Sequence, residues 1–197
     1  MPSKKQIRIS SDEDIKRMYE LRNSCDAVII GIGSVLSDNP KLTVKEKYVL
    51  KPNNPIRIVL DSKCRTPTGY LVVDNKSKTF IVTTEKSSNI YGDNVEIIQC
   101  KKDGSGKVDL RELLYLLYKR GIRKIMVEGG GTVIWNFLIN SLVDDIFVYV
   151  APIVIGGRAT PTMVEGEGIK NENCLVKLDL ITYDKLGEGI LFHYKIK

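Results

Sequence analysis

Apolar residues recur along this chain with two periods, one helical and one extended. Ile15, Met18, Tyr19 and Leu21 share a helical face behind Ser10, Ser11 and the acidic run Asp12-Glu13-Asp14. A helix is therefore expected through residue 22, with carboxylates facing the positive end of its dipole. Short apolar runs at residues 27–30, 55–60, 79–84 and 95–98 read as buried strands. Leu110, Leu113, Leu114 and Leu117 form a second helical stripe, capped by Asp109 and stopped at Gly121. A strand at 122–127, a helix at 133–141 and a strand at 145–152 follow, with Trp135 expected in the core. Residues 175–182 and 190–196 read as two strands joined near Gly187-Glu188-Gly189, an antiparallel hairpin. Strands that alternate with helices predict an α/β protein. The expectation is one mixed, mostly parallel sheet flanked by helices, with the C-terminal hairpin at its edge.

Composition narrows the class. A chain of 197 residues is expected to form a single domain, and 43% hydrophobic with 27% charged residues is ordinary for a folded protein. Thirty Lys and Arg against 24 Asp and Glu leave a net charge of +6, spread along the whole chain. No aromatic-basic interleaving, helix-turn-helix or zinc pattern accompanies that charge, so no nucleic-acid partner is expected. Cys25, Cys64, Cys100 and Cys174 contain no CxxC pair and read as free thiols in a reducing, cytoplasmic setting. The polar, basic start gives no signal peptide, and no apolar run approaches the roughly 18 residues of a membrane span. His193 is the one histidine, inside an alternating strand pattern. A histidine-based zinc site or a Ser-His-Asp triad is thereby disfavoured, and no metal is expected.

The chemistry must then come from carboxylates, amides, cations or a bound cofactor. The strongest signal is a strand, then Gly129-Gly130-Gly131-Thr132, then a helix. Glycines let a ligand approach the backbone, and the helix start offers free N–H groups and a positive dipole end. The combination suits a diphosphate, although it is neither a Walker A loop nor the G-x-G-x-x-G fingerprint. A second strand end carries Gly31-Ile32-Gly33-Ser34, followed by a turn at Asp38-Asn39-Pro40. Ligands of open α/β sheets collect beyond the carboxyl ends of the strands, so both segments should face one crevice. Gly156-Gly157-Arg158-Ala159-Thr160-Pro161, leading to Glu165-Gly166-Glu167-Gly168, is a further candidate wall, with an ordinary irregular loop as the alternative. Glu128, next to the glycines, could hold a substrate donor. Arg22 and Lys45 could hold a phosphate.

Several segments in order resemble the ribosylaminopyrimidine-phosphate reductases of riboflavin biosynthesis, most of all their stand-alone archaeal form. They are Leu21-Arg22, the run from Gly31 through Asp38-Asn39-Pro40 to Val44, and the run from Pro55 to Ser62. Met126-Val127-Glu128 with the glycines, Leu142-Val143-Asp144-Asp145, Ala151 to Gly157 and Gly187-Glu188-Gly189 complete the set. The resemblance implies a dihydrofolate-reductase-like fold, a homodimer, and NADPH as the usual donor, with NADH as the alternative. It implies hydride delivery to the ribosylamino group of a phosphorylated diaminopyrimidinone, the deaminated pyrimidine being the alternative substrate. Carried over by position, Gly33, Ser34, Asp38 and Gly129, Gly130, Gly131 and Thr132 correspond to dinucleotide contacts. Ser62, Thr83 and Thr84 fall where the adenosine end is held, and Lys63 and Arg65 are candidates for a 2′-phosphate. Arg22, Leu42, Lys45 and Glu128 correspond to substrate contacts, Arg22 and Lys45 toward the phosphate. The resemblance names no proton donor. It departs from the family in two places. The N-terminal Ser/Thr-x-Asp-Gly-Lys strand of the relatives has no counterpart in the residues given, which keeps a non-catalytic dinucleotide-binding homologue as a further reading. Lys45 stands where the bacterial relatives often have Arg, a point charge in place of a fork.

Overall fold

The computed structural model describes residues 8–157, 160, 162–169 and 171–197. Two compact units share the chain. The larger comprises Tyr19–Leu142 and Thr162–Gly168; the smaller comprises Met1–Met18, Val143–Pro161 and Ile169–Lys197. Helix α1 (Asp12–Asn23) begins in the smaller unit and ends in the larger. Its start is as expected, because the Ser11 hydroxyl accepts the Asp14 N–H at 3.2 Å.

The larger unit holds β1 (Ala27–Gly31), α2 (Ile32–Asp38), β2 (Ile56–Leu60), β3 (Thr79–Thr83), β4 (Val95–Gln99), α3 (Leu110–Lys119), β5 (Ile125–Gly129) and α4 (Gly131–Ile139). The strands form one parallel sheet in the order β4-β3-β2-β1-β5. All residues of β1 and β3 are buried, which explains their uninterrupted apolar runs, since a parallel strand is covered on both faces. Asp109 caps α3 as expected, accepting the N–H groups of Arg111 and Glu112. Leu113 and Leu117 are fully buried, whereas Leu114 and Trp135 are half-buried.

Two expectations change. Among the described residues, the C-terminal strands do not pair with the parallel sheet. In the smaller unit β6 (Ile146–Val150), β7 (Leu178–Leu186) and β8 (Gly189–Ile196) form their own antiparallel sheet, ordered β6-β8-β7. Every strand edge offers the same N–H and C=O groups, so the strand pattern alone could not choose which edge is joined. The second change is α2, a helix where only a strand end at Gly31-Ile32-Gly33 and a turn at Asp38-Asn39-Pro40 were expected. The glycines at 31 and 33 masked a short helix carrying Ile32 and Val35 on its buried face.

The strand order matters for function. Successive crossovers run from β1 outward to β4, and the chain then returns to place β5 on the other side of β1. That reversal between β1 and β5 is a topological switch point, where the connections leave a crevice beyond the strand ends.

Candidate functional site

Both glycine-bearing segments lie at the switch point. Ile30 is in register with Gly129, so the carboxyl ends of β1 and β5 are neighbours. The chain then turns straight into a helix on both strands. Gly31 is needed for close approach, because a Cβ there would sit 2.7 Å from Val133 Cγ2 on α4. Gly130, the residue before α4, has φ of 76°, and its Cβ would come to 3.2 Å from Ser34 Oγ. Only glycine adopts that conformation without strain. Gly33 lies in the first turn of α2, exposed, with open space where a Cβ would be, and Thr132 is exposed in the first turn of α4. A bare backbone, a helix start and the Ser34 hydroxyl are what a dinucleotide's diphosphate requires, so these residues fit such a group. Glu165 and Gly166 also belong here: a Cβ on Gly131 would meet the Glu165 backbone at 2.8 Å, and one on Gly166 would meet Trp135 at 2.4 Å. Of the candidate wall segment, Arg158, Ala159 and Pro161 lie outside the described residues.

The four residues matched to substrate contacts also converge. The register of β5 shifts against β1 at this point: Val127 faces Ile29 and Gly129 faces Ile30, leaving Glu128 as an extra residue. Such a bulge re-aims a side chain. Glu128 meets Arg22 of α1 in a two-pronged ion pair, Nε to Oε1 and Nη2 to Oε2, each 2.6 Å. The side chains are only 7% and 10% exposed. Arg22 Nη1 also donates to the Thr43 carbonyl at 2.7 Å, which ties the pair to the segment carrying Leu42 and Lys45. Leu42 is buried with φ of 51°. Arg22 therefore spends donors from all three guanidinium nitrogens on the protein. Lys45 differs: its Nζ lies 5.3 Å from the Tyr19 ring centre, and no carboxylate oxygen is within 4.0 Å among the described residues. It is exposed.

The segment is held from beneath. Asn54 Oδ1 accepts the Val44 N–H at 2.8 Å, and Asn39 Oδ1 accepts the Leu71 N–H at 2.8 Å. Arg57 of β2, fully buried, donates to Thr79 Oγ1 at 2.9 Å, the Leu71 carbonyl at 2.9 Å, Asp74 Oδ1 at 2.7 Å and the Ser77 carbonyl at 2.6 Å. Burial pushes the Asp74 carboxyl up, but the Arg57 guanidinium and the Lys76 N–H more than offset this and leave it below its ordinary range. The sequence reading missed Arg57. The only trace is a cation inside an otherwise apolar strand run.

At the ends of β2 and β3, Ser62, Thr83 and Thr84 meet. The Ser62 carbonyl accepts the Thr84 N–H at 3.1 Å and the hydroxyls of Thr83 and Thr84 at 3.0 Å each. Thr83 is fully buried, and its hydroxyl shapes the turn. Ser62 and Thr84 are partly exposed. Lys63 and Arg65 flank Cys64, whose φ is 49°, and both are exposed. Asp38, at the end of α2, is exposed and accepts the Ser37 hydroxyl at 2.8 Å. His193 lies in β8, 2.7 Å from Asp145. No group of metal-binding side chains occurs among the described residues.

These features define an α/β domain whose switch point brings together glycine-bearing strand ends and a buried Arg–Glu pair. The chain belongs to the RibD C-terminal domain family, which matches residues 1–192. It is 37% identical over 193 residues to the 2,5-diamino-6-ribosylamino-4(3H)-pyrimidinone 5′-phosphate reductase of Methanothermobacter thermautotrophicus, spanning 96% of this chain and 88% of that one. It is 36% identical over 195 residues to the reductase of the same name from Archaeoglobus fulgidus, spanning 95% and 87%. Among solved structures it resembles the deaminase/5-amino-6-(5-phosphoribosylamino)uracil reductase of Thermotoga maritima, with a TM-score of 0.78 and 25% identity, over 95% of this chain and 50% of that longer one. The chain is thus an oxidoreductase of the riboflavin-biosynthesis type, and the family implies a nicotinamide cofactor. No helix among the described residues is long and apolar enough to cross a membrane.

Proposed function

We propose that this protein reduces the ribosylamino group of 2,5-diamino-6-ribosylamino-4(3H)-pyrimidinone 5′-phosphate to the ribitylamino product, with NADPH as donor. The observation that carries this is the Arg22–Glu128 pair directly beside the Gly129–Gly131 backbone, with the exposed Lys45 ammonium on the adjoining segment. A bound nicotinamide supplies the hydride; the protein supplies binding, orientation and electrostatics. Ser34, the Gly129–Gly131 backbone and Thr132 hold the diphosphate, with Gly33 and Asp38 bordering it. Ser62 and Thr84 hold the adenosine end, and Lys63 and Arg65 offer charge to a 2′-phosphate, which favours NADPH over NADH. Lys45 faces the substrate phosphate. Glu128 accepts donors of the substrate, and Arg22 holds that carboxylate in place. Orientation of this kind converts an encounter into a positioned reaction.

The test is NADPH consumption, followed by absorbance, with the diaminopyrimidinone phosphate and with its deaminated counterpart in parallel. Substrate-dependent turnover with the diamino compound is expected. Turnover with only the deaminated compound would reassign the substrate. NADPH binding without turnover on either would leave a dinucleotide-binding protein and overturn the reading. The wild-type chain is further expected to act as a homodimer in the cytoplasm. The support is β7, where Leu178, Leu180, Ile181 and Tyr183 are all exposed. Exposed apolar strands of this kind usually find a partner.

A further inference from the structure

Two cations of the site share one aromatic ring. The Arg22 guanidinium carbon lies 4.9 Å from the centre of Tyr19, and the Lys45 ammonium lies 5.3 Å from it. Tyr19 is only 8% exposed and is stacked on Tyr48 at 4.9 Å with an interplanar angle of 12°. The ring is therefore fixed on two sides, by α1 and by the aromatic stack. A lysine ammonium on a four-carbon stem is otherwise free among many rotamers. The face of an aromatic ring attracts a cation through its quadrupole and narrows that freedom. Arg22 is fixed independently by Glu128 and the Thr43 carbonyl, so the ring's positioning falls on Lys45.

We propose that Tyr19 is a positioning residue of this site: its ring holds the Lys45 ammonium at a set distance from the Arg22–Glu128 pair, so that phosphate and pyrimidine are gripped in one register. The inference rests on the reading of Lys45 as the phosphate-facing cation. Its effect is on binding of the phosphorylated substrate. The ring is buried and stacked on Tyr48, so the lysine is preorganised and less freedom is lost when phosphate arrives.

Kinetics with the phosphorylated substrate and with its dephosphorylated form test the idea. Tyr19→Leu is expected to raise KM for the phosphorylated substrate about threefold to tenfold, from the loss of one cation–π contact. The dephosphorylated form should show no such change, and kcat should move far less than KM. Tyr19→Phe, which keeps the ring, is expected to restore KM. In a Lys45→Met background, Tyr19→Leu should add nothing to the lost preference for phosphate. Should Tyr19→Leu lose its cooperative thermal transition, a fluorinated-phenylalanine series at position 19 replaces it. KM should then climb with fluorination while the melting temperature holds, because fluorine weakens the quadrupole and keeps the shape. Equal losses on both substrates, a fall confined to kcat, or effects of Tyr19 and Lys45 that simply add would overturn the proposal. A Lys45→Met variant that keeps full preference for phosphate would instead overturn the reading of Lys45, and this inference with it.

Discussion

Arg57 illustrates how a single buried charge can organise a site it never touches. Its guanidinium joins β2 to Thr79 of β3 and to the carbonyls at Leu71 and Ser77, and Asp74 neutralises it. Removing one partner of a buried pair leaves the others without compensation. Arg57→Leu is expected to cost about 3–5 kcal/mol in a urea unfolding curve, with Arg57→Lys close behind because a point charge cannot serve all these acceptors. Gly130→Ala should cost about 1–2 kcal/mol, since a side chain is strained at φ of 76° and would crowd Ser34. It should also weaken NADPH binding in a fluorescence titration. The cysteines differ by environment. Burial pushes the Cys100 thiol up to about 11 and raises Cys25 as well, whereas Cys174 is exposed. Since the thiolate is the reactive form, Ellman's reagent should modify Cys174 in the native protein and the remaining thiols only on unfolding. Arg57 and Tyr19 were not legible as site residues beforehand. Their roles depend on neighbours that are remote in sequence.

Between elements, Asp26 pins the start of β1 to the chain entering β5. Its Oδ2 accepts the N–H groups of Arg123 and Lys124 at 2.7 and 2.8 Å. Those backbone hydrogen bonds hold its carboxyl below the ordinary value. A depressed carboxyl stabilises the fold above its unfolded value of about 3.9, and the contribution is lost as pH falls through the lower folded value. Asp26→Asn should therefore be less stable at neutral pH and lose less on acidification. Unfolding midpoints measured from about pH 6 to about pH 3 should converge with those of the wild type toward the acid end. The parallel strands could be read from their apolar runs to within a few residues, because burial on both faces leaves a local imprint. Helix α2 could not, because glycines serve a tight turn and a close packing contact equally well.

For the molecule as a whole, ligand and partner should both register in stability. NADPH at about 100 times its Kd should stabilise the larger unit by about 2.7 kcal/mol, read as a rise in melting temperature. Leu180→Arg on the exposed strand β7 should convert the proposed dimer into a monomer, measured by sedimentation equilibrium. A wild type that sediments as a monomer would remove that proposal. The sequence by itself determined the α/β class, most strand and helix positions, the two glycine-bearing strand ends and the candidate contacts from Arg22 to Thr132. Those properties follow from local periodicity, turn chemistry and motif order, which neighbouring residues encode. Only the tertiary structure decided the order β4-β3-β2-β1-β5, the separate antiparallel sheet, the bulge that turns Glu128 onto Arg22, and the ring shared by Arg22 and Lys45. Each of these depends on which of many equivalent edges and side chains meet across the fold. That choice is made by packing the whole chain at once, and no local pattern records it.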